Sequence, residues 1–152
     1  MFMTIDSTQR AFSVTEYHQM TEAGILTEDD RIELIEGRVI LISPIGSRHA
    51  ACVKRLNALL SQRVGAAALV SVQDTIRLDD YSEPEPDIAL LHPRDDFYAH
   101  AHPTPADLLL VIEVADTPEG YDREEKVPLY ARAAIPEVWL VSLAKNRSVQ
   151  GT

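Results

Sequence analysis

The sequence predicts an α/β domain with a central mixed β-sheet flanked by helices, and three observations carry that prediction. Helical and strand patterns alternate along the chain. One segment, Ser47 to Val64, repeats apolar residues at helical spacing over five turns. Two others, Leu108 to Ala115 and Val138 to Leu143, are so continuously apolar that they read as strands buried on both faces. With 152 residues, 45% of them apolar and 25% charged, the chain suits one domain, 1–152, with 1–12 as a flexible leading segment.

The elements follow in order. Ser13 and Glu16 stand at capping-box spacing, Val14, Tyr17 and Met20 recur helically, and Gly24 ends the first helix. Ile32 and Leu34, then Val39 and Leu41, alternate around Glu36-Gly37 as a hairpin does. Val53, Leu56, Leu60 and Val64 line the core face of the long helix, and Gly65 stops it. Strands are expected at Leu69 to Leu78, at Pro86 to His92 and at Leu108 to Ala115. A helix from about Asp122 to Ala133 should follow, provided Pro128 falls in its first turn. Val138 to Leu143 is the next strand, and Ser148 to Gln150 begins a return strand.

The net charge of −10 argues against a protein that coats nucleic acid through an overall positive field. Its distribution is uneven. Residues 37–73 hold Arg38, Arg48, Lys54, Arg55 and Arg63 and no acid, +5, whereas residues 74–137 carry −11. Arg48, Lys54 and Arg55 read as a solvated helix face or as a phosphate-tracking surface. His49 beside them is either structural, solvated or a phosphate contact. Cys52 is the single cysteine, which excludes an intrachain disulfide and suits a reducing, cytoplasmic setting. No apolar run approaches the ~20 residues of a membrane helix. His92, His100 and His102 cluster in or beside a proline-bearing loop, a faint zinc signal without cysteines.

Two acids stand out. Asp87 follows Glu85-Pro86 at the start of an apolar strand, and Glu113 sits between Val111-Ile112 and Val114. A carboxylate buried there costs several kcal/mol unless a cation or dense hydrogen bonding meets it. The alternative is the open face of an edge strand.

Strand with Asp87, strand with Glu113, then helix with Lys126: this combination resembles the PD-(D/E)XK nuclease superfamily. Within it the chain resembles the Uma-type putative restriction endonuclease family. Seven segments carry that likeness in order: 31–37, 47–49, 72–78, 85–89, 111–114, 122–130 and 135–141. The resemblance implies a restriction-endonuclease-like fold and a Mg²⁺ (or Mn²⁺)-dependent DNA endonuclease. Asp87 and Glu113 would hold the metal, Glu33 would join them, Lys126 would assist the attacking water, and Gln73 would line the same pocket. Two departures accompany it. The position two residues after Glu113 is Ala115 where the simplest pattern has lysine, so Lys126 substitutes from the next helix. Read without the resemblance, Lys126 is a solvated lysine paired with Asp122, and Glu33 the outward residue of a half-buried strand. The chain also stops soon after the Trp139 strand, which suggests a C-terminally shortened sheet whose open edge a second copy covers, hence a homodimer. A catalytically inactive interaction module of the same fold is the alternative function.

Overall fold

A computed structural model describes residues 8–27, 29–42, 45–116, 125–143 and, as backbone, 147–151. Helix α1 (Val14–Glu22) opens on the expected capping box: Ser13 Oγ accepts from the Glu16 N–H at 3.1 Å, and the Glu16 carboxylate accepts from the Ser13 N–H at 3.0 Å. The hairpin β1 (Ile32–Ile35) and β2 (Arg38–Leu41) turns at Glu36 and Gly37, with φ of 50° and 79°. Positive φ at both central residues is what a tight hairpin turn demands. Gly37 is also required by space, because a Cβ there would lie 2.6 Å from that of Ala11. The Phe12 N–H donates to Gly37 O, and Arg10 pairs with Glu16, which ties the chain just before α1 to the domain. Residues 1–7 of the expected flexible segment lie outside the described residues.

Helix α2 (Ser47–Val64) has the predicted bounds, and β3 (Leu69–Val72), β4 (Ile88–Leu91), β5 (Leu108–Ala115), β6 (Val138–Ser142) and β7 (Arg147–Gly151) form one mixed sheet in that order. All neighbours are antiparallel except β5 and β6. A parallel pair needs a crossover, and helix α3 (Val127–Arg132) lies on it. Pro128 occupies the first turn of α3, where its missing N–H costs nothing. The predicted helix start at Asp122 lies outside the described residues.

Two strands are shorter than the alternation suggests. The first ends at Val72 because Gln73 turns to φ 54°, and residues beyond it bond instead to the prolines and turn around them, as in Ile76 N–H to Pro84 O. The second begins only after Pro84 and Pro86, which have no N–H to give a ladder.

Period-two alternation divides the core between the two faces. Ile88, Leu90, Leu110, Ile112 and Val114 pack with Val53 and Leu60 of α2, while Ala89, Leu91 and Val111 pack with Leu129 and Tyr130 of α3 and with Ile35 of the hairpin. Glu113 shares the parity of Val111. It therefore projects toward α3 and the hairpin, from the central strand, and is 2% exposed. The edge-strand alternative is thereby excluded. Ion pairs hold α3 and its leading turn to the hairpin: Lys126 to Glu33, Glu125 to Arg38 and Arg132 to Glu36.

Candidate active site

The site grows from the carboxylate in the middle of β5. Lys126 Nζ lies 2.7 Å from Glu113 Oε1 and 3.0 Å from Glu33 Oε1, and it donates to Glu85 O at 3.5 Å. The lysine is 2% exposed, so the solvated reading is replaced by a cation enclosed between acids from β1 and β5. Tyr130 donates its hydroxyl to the same Glu113 oxygen at 2.6 Å. Burial first, then the Glu113 charge, pushes the Tyr130 phenol well above its usual value, so it stays an O–H donor.

Glu33 is buried too, because β1 is covered on both sides: its four residues are all buried, and the assumption of one open strand face fails. Its Oε1 accepts from the Glu85 N–H at 3.0 Å as well as from Lys126. Glu85 itself is half-buried, and desolvation followed by the Glu33 charge raises its carboxyl above the usual range. Tyr17 of α1 stands near the same group of acids; burial, then Glu85, Glu83 and Glu33, push it up to about 12. His18 Nε2 contacts Glu83 Oε2 at 2.8 Å.

Asp87 lies at the other edge of the site. Its Oδ2 accepts from the Val114 N–H at 2.7 Å and lies 3.2 Å from His49 Nε2, while no donor among the described residues reaches Oδ1. His49 is 8% exposed on the inner face of α2 and bonds Asp87, so the structure gives it a structural contact with the acid and not an outward one. A carboxylate oxygen only accepts, so His49 Nε2 is the donor; Nδ1 is buried with no partner among the described residues. Gln73 joins through its backbone, its N–H donating to Asp87 O at 3.0 Å.

Arg48, Lys54 and Arg55 are exposed on α2. Arg48 and Arg55, seven residues apart, share one flank of the helix with Cys52 between them; Lys54 is on the other flank. Desolvation and then the Asp87 charge raise the Cys52 thiol, with Arg55 opposing them. His92, His100 and His102 are exposed. A cavity of about 510 Å³ lined by Glu36, Tyr81, Leu129 and Arg132 shares no lining residue with the carboxylates and lysine of the site.

The donors Asp87, Glu113 and Glu33 are hard oxygens, suited to Mg²⁺ or Mn²⁺. Among the described residues no three His, Cys, Asp or Glu side chains are grouped to hold a metal by themselves. A Mg²⁺ site takes one or two carboxylates and leaves the rest of its shell to water and substrate phosphate.

The His49–Asp87 pair sets a pH dependence. The hydrogen bond to Asp87 raises the imidazole above its usual value, against burial. Its stabilisation is complete below about pH 6.5 and is lost as the pH rises through the raised folded value. Burial opposes ionisation of Asp87, but His49 and the Val114 N–H outweigh it and hold the carboxyl below its usual value. That contribution is present above about pH 4 and is lost as the pH falls through the depressed value. Urea titrations should therefore show wild type exceeding His49→Asn by about 1–3 kcal/mol between those limits, with the gap narrowing toward alkaline pH. A gap independent of pH would show that the imidazole carries no charge there.

A family model described as Uma2, "Putative restriction endonuclease", matches residues 14–150. The crystal structure of a "putative nuclease belonging to DUF820 from Anabaena variabilis ATCC 29413" matches with a TM-score of 0.63 at 16% identity, over 86% of this chain and 74% of that one. That likeness confirms the fold. No curated protein matches the sequence. Among the described residues no helix is long and apolar enough to cross a membrane.

Proposed function

The chain belongs to the Uma2 family of "putative restriction endonucleases", and from that premise we propose that it is a Mg²⁺- or Mn²⁺-dependent DNA endonuclease hydrolysing phosphodiester bonds. The observation that carries the reading is the enclosed Lys126 ammonium, 2.7 Å from a carboxylate on the central strand. That one cation joins carboxylates from two separate strands, Glu33 of β1 and Glu113 of β5, and the backbone carbonyl of Glu85, and so draws together the acids that the family pattern assigns to the site.

Asp87 and Glu113 would hold the metal, which when bound supplies a water of lowered pKa and offsets charge on the scissile phosphate. Asp87 presents Oδ1 because Val114 and His49 occupy Oδ2. Glu33 fixes Lys126 through Oε1 and would join Asp87 and Glu113 in the metal's surroundings. Lys126 orients the attacking water and stabilises negative charge as it builds on the phosphate oxygens. Arg48 and Arg55 track the DNA backbone toward the acids. A second copy would bring a second site to the other strand, and sedimentation reads whether the chain pairs.

The test is direct. The purified chain should nick or linearise plasmid DNA with Mg²⁺ or Mn²⁺ and lose that activity in EDTA. No cleavage of duplex DNA, single-stranded DNA or RNA with either metal overturns the reading and leaves the inactive module.

Charge adds a second expectation. Repulsion from the acidic segment should make the metal-free protein bind DNA poorly, and Ca²⁺ should raise affinity without cutting. In Ca²⁺, Arg55→Ala should reduce the slope of log K against log salt by about 1, one phosphate contact, and more than Lys54→Ala does. Equal slopes for both variants and wild type would remove the α2 flank from the interface.

A further inference from the structure

Tyr130 is the largest of the fully buried side chains, and the mechanism above makes no use of it. It packs in the core among Leu129, Ile135 and Val138, where phenylalanine would supply the same apolar surface. A buried hydroxyl costs free energy unless it finds a partner, and this one finds the carboxylate at the centre of the site, at 2.6 Å. Lys126 caps the start of α3 and Tyr130 lies four residues on, within it. Both reach the same atom, Glu113 Oε1. Two donors on one oxygen restrain rotation of the carboxylate about its Cγ–Cδ bond more than either would alone.

We propose that Tyr130 is a positioning residue that sets the Glu113 carboxylate for a divalent cation. The inference rests on the reading of Glu113 as a metal ligand. Outer partners of this kind hold a ligand in its binding orientation, and losing one typically weakens metal affinity or activity about 10–100-fold. Lys126 alone does not suffice for this, because its ammonium is shared with Glu33 and with the Glu85 carbonyl.

The experiment compares wild type with Tyr130→Phe, which keeps the ring and removes the hydroxyl. Mn²⁺ affinity is measured calorimetrically on the nucleic-acid-free protein, and cleavage is measured against Mg²⁺ concentration. The expected result is Mn²⁺ binding about 10–100-fold weaker in Tyr130→Phe, with a cleavage rate that recovers toward wild type as Mg²⁺ is raised. A tyrosine serving only the core would lower the thermal midpoint and leave Mn²⁺ affinity unchanged, and that result overturns the inference. Should the variant be too unstable for calorimetry, the Mn²⁺-induced rise in its thermal midpoint reads the same affinity. If wild type binds Mn²⁺ and Tyr130→Phe binds it weakly, yet neither cuts nucleic acid, the positioning role stands and the nuclease reading falls. If wild type binds no Mn²⁺, both fall.

Discussion

Glu113→Gln is expected to bring cleavage down by at least about 10²–10³-fold, the range seen when one preorganised electrostatic group is removed from an active site. The substitution is nearly isosteric, and its amide oxygen can still accept from Tyr130 and Lys126, which both meet Glu113 Oε1 in the wild type. What it removes is the negative charge. A neutral amide is a poor ligand for a hard divalent cation, so the apparent Mg²⁺ requirement should rise together with the fall in rate. Glu113→Ala should add a folding defect. Lys126 is 2% exposed, and alanine, unlike glutamine, also removes the oxygen that Lys126 and Tyr130 share, which costs about 1–3 kcal/mol for each buried donor that loses it. The pair of variants separates chemistry from folding: the glutamine form should be folded and inactive, the alanine form inactive and visibly less stable. A glutamine variant that cuts at the wild-type rate under the same metal takes Glu113 out of the mechanism.

Much of the scaffold was legible because its signals are local. The long helix is bounded as its apolar spacing and Gly65 require, and β5 as its apolar run requires. The capping box of Ser13 and Glu16 forms as written. Glu113 was legible as an anomaly, since a carboxylate within an apolar strand needs a partner wherever the strand sits. What spacing alone does not show is the partner. Lys126 has acidic neighbours in its own helical turn, which suggests a local pair, but the residues that meet it lie on β1 and β5, roughly 90 and 13 positions away in sequence. Glu33 illustrates the same limit. Alternation puts it opposite Ile32 and Leu34, and that periodicity says nothing about whether the opposite side is water or protein. His49 did leave a trace: it stands four residues before Val53 and so on the buried stripe of α2, which places it inward. Tyr130 left one as well, four residues beyond Lys126, but a tyrosine near a proline-started helix reads first as core. The resemblance to a nuclease family supplied the ordering of these residues; the geometry supplies why each has the neighbour it has.

Lys126→Met should be the most destabilising single substitution in the site and should also reveal what the lysine does. Methionine nearly matches its length and leaves no cation between Glu33 Oε1 and Glu113 Oε1, which Nζ now contacts at 3.0 and 2.7 Å. Two enclosed carboxylates lose their common partner, and the expected loss is about 3–5 kcal/mol. For a chain of this length that lowers the thermal midpoint by about 6–20 °C. Cleavage should fall by about 10²–10³-fold, yet divalent-cation affinity should hold or rise, because the metal becomes the only positive charge among the acids. That is the opposite of Glu113→Gln, in which affinity and rate decline together. The double variant Lys126→Met with Glu33→Gln decides between roles. Removing one of the two acids that lost the cation should recover a good part of the stability, measured by urea denaturation as a coupling free energy of about 0.5–3 kcal/mol between the sites, while the cleavage rate stays low. If the double variant regains both stability and cleavage, Lys126 serves only to neutralise Glu33 and Glu113 in the folded protein. Regained stability without cleavage leaves the ammonium acting on the water and the phosphate.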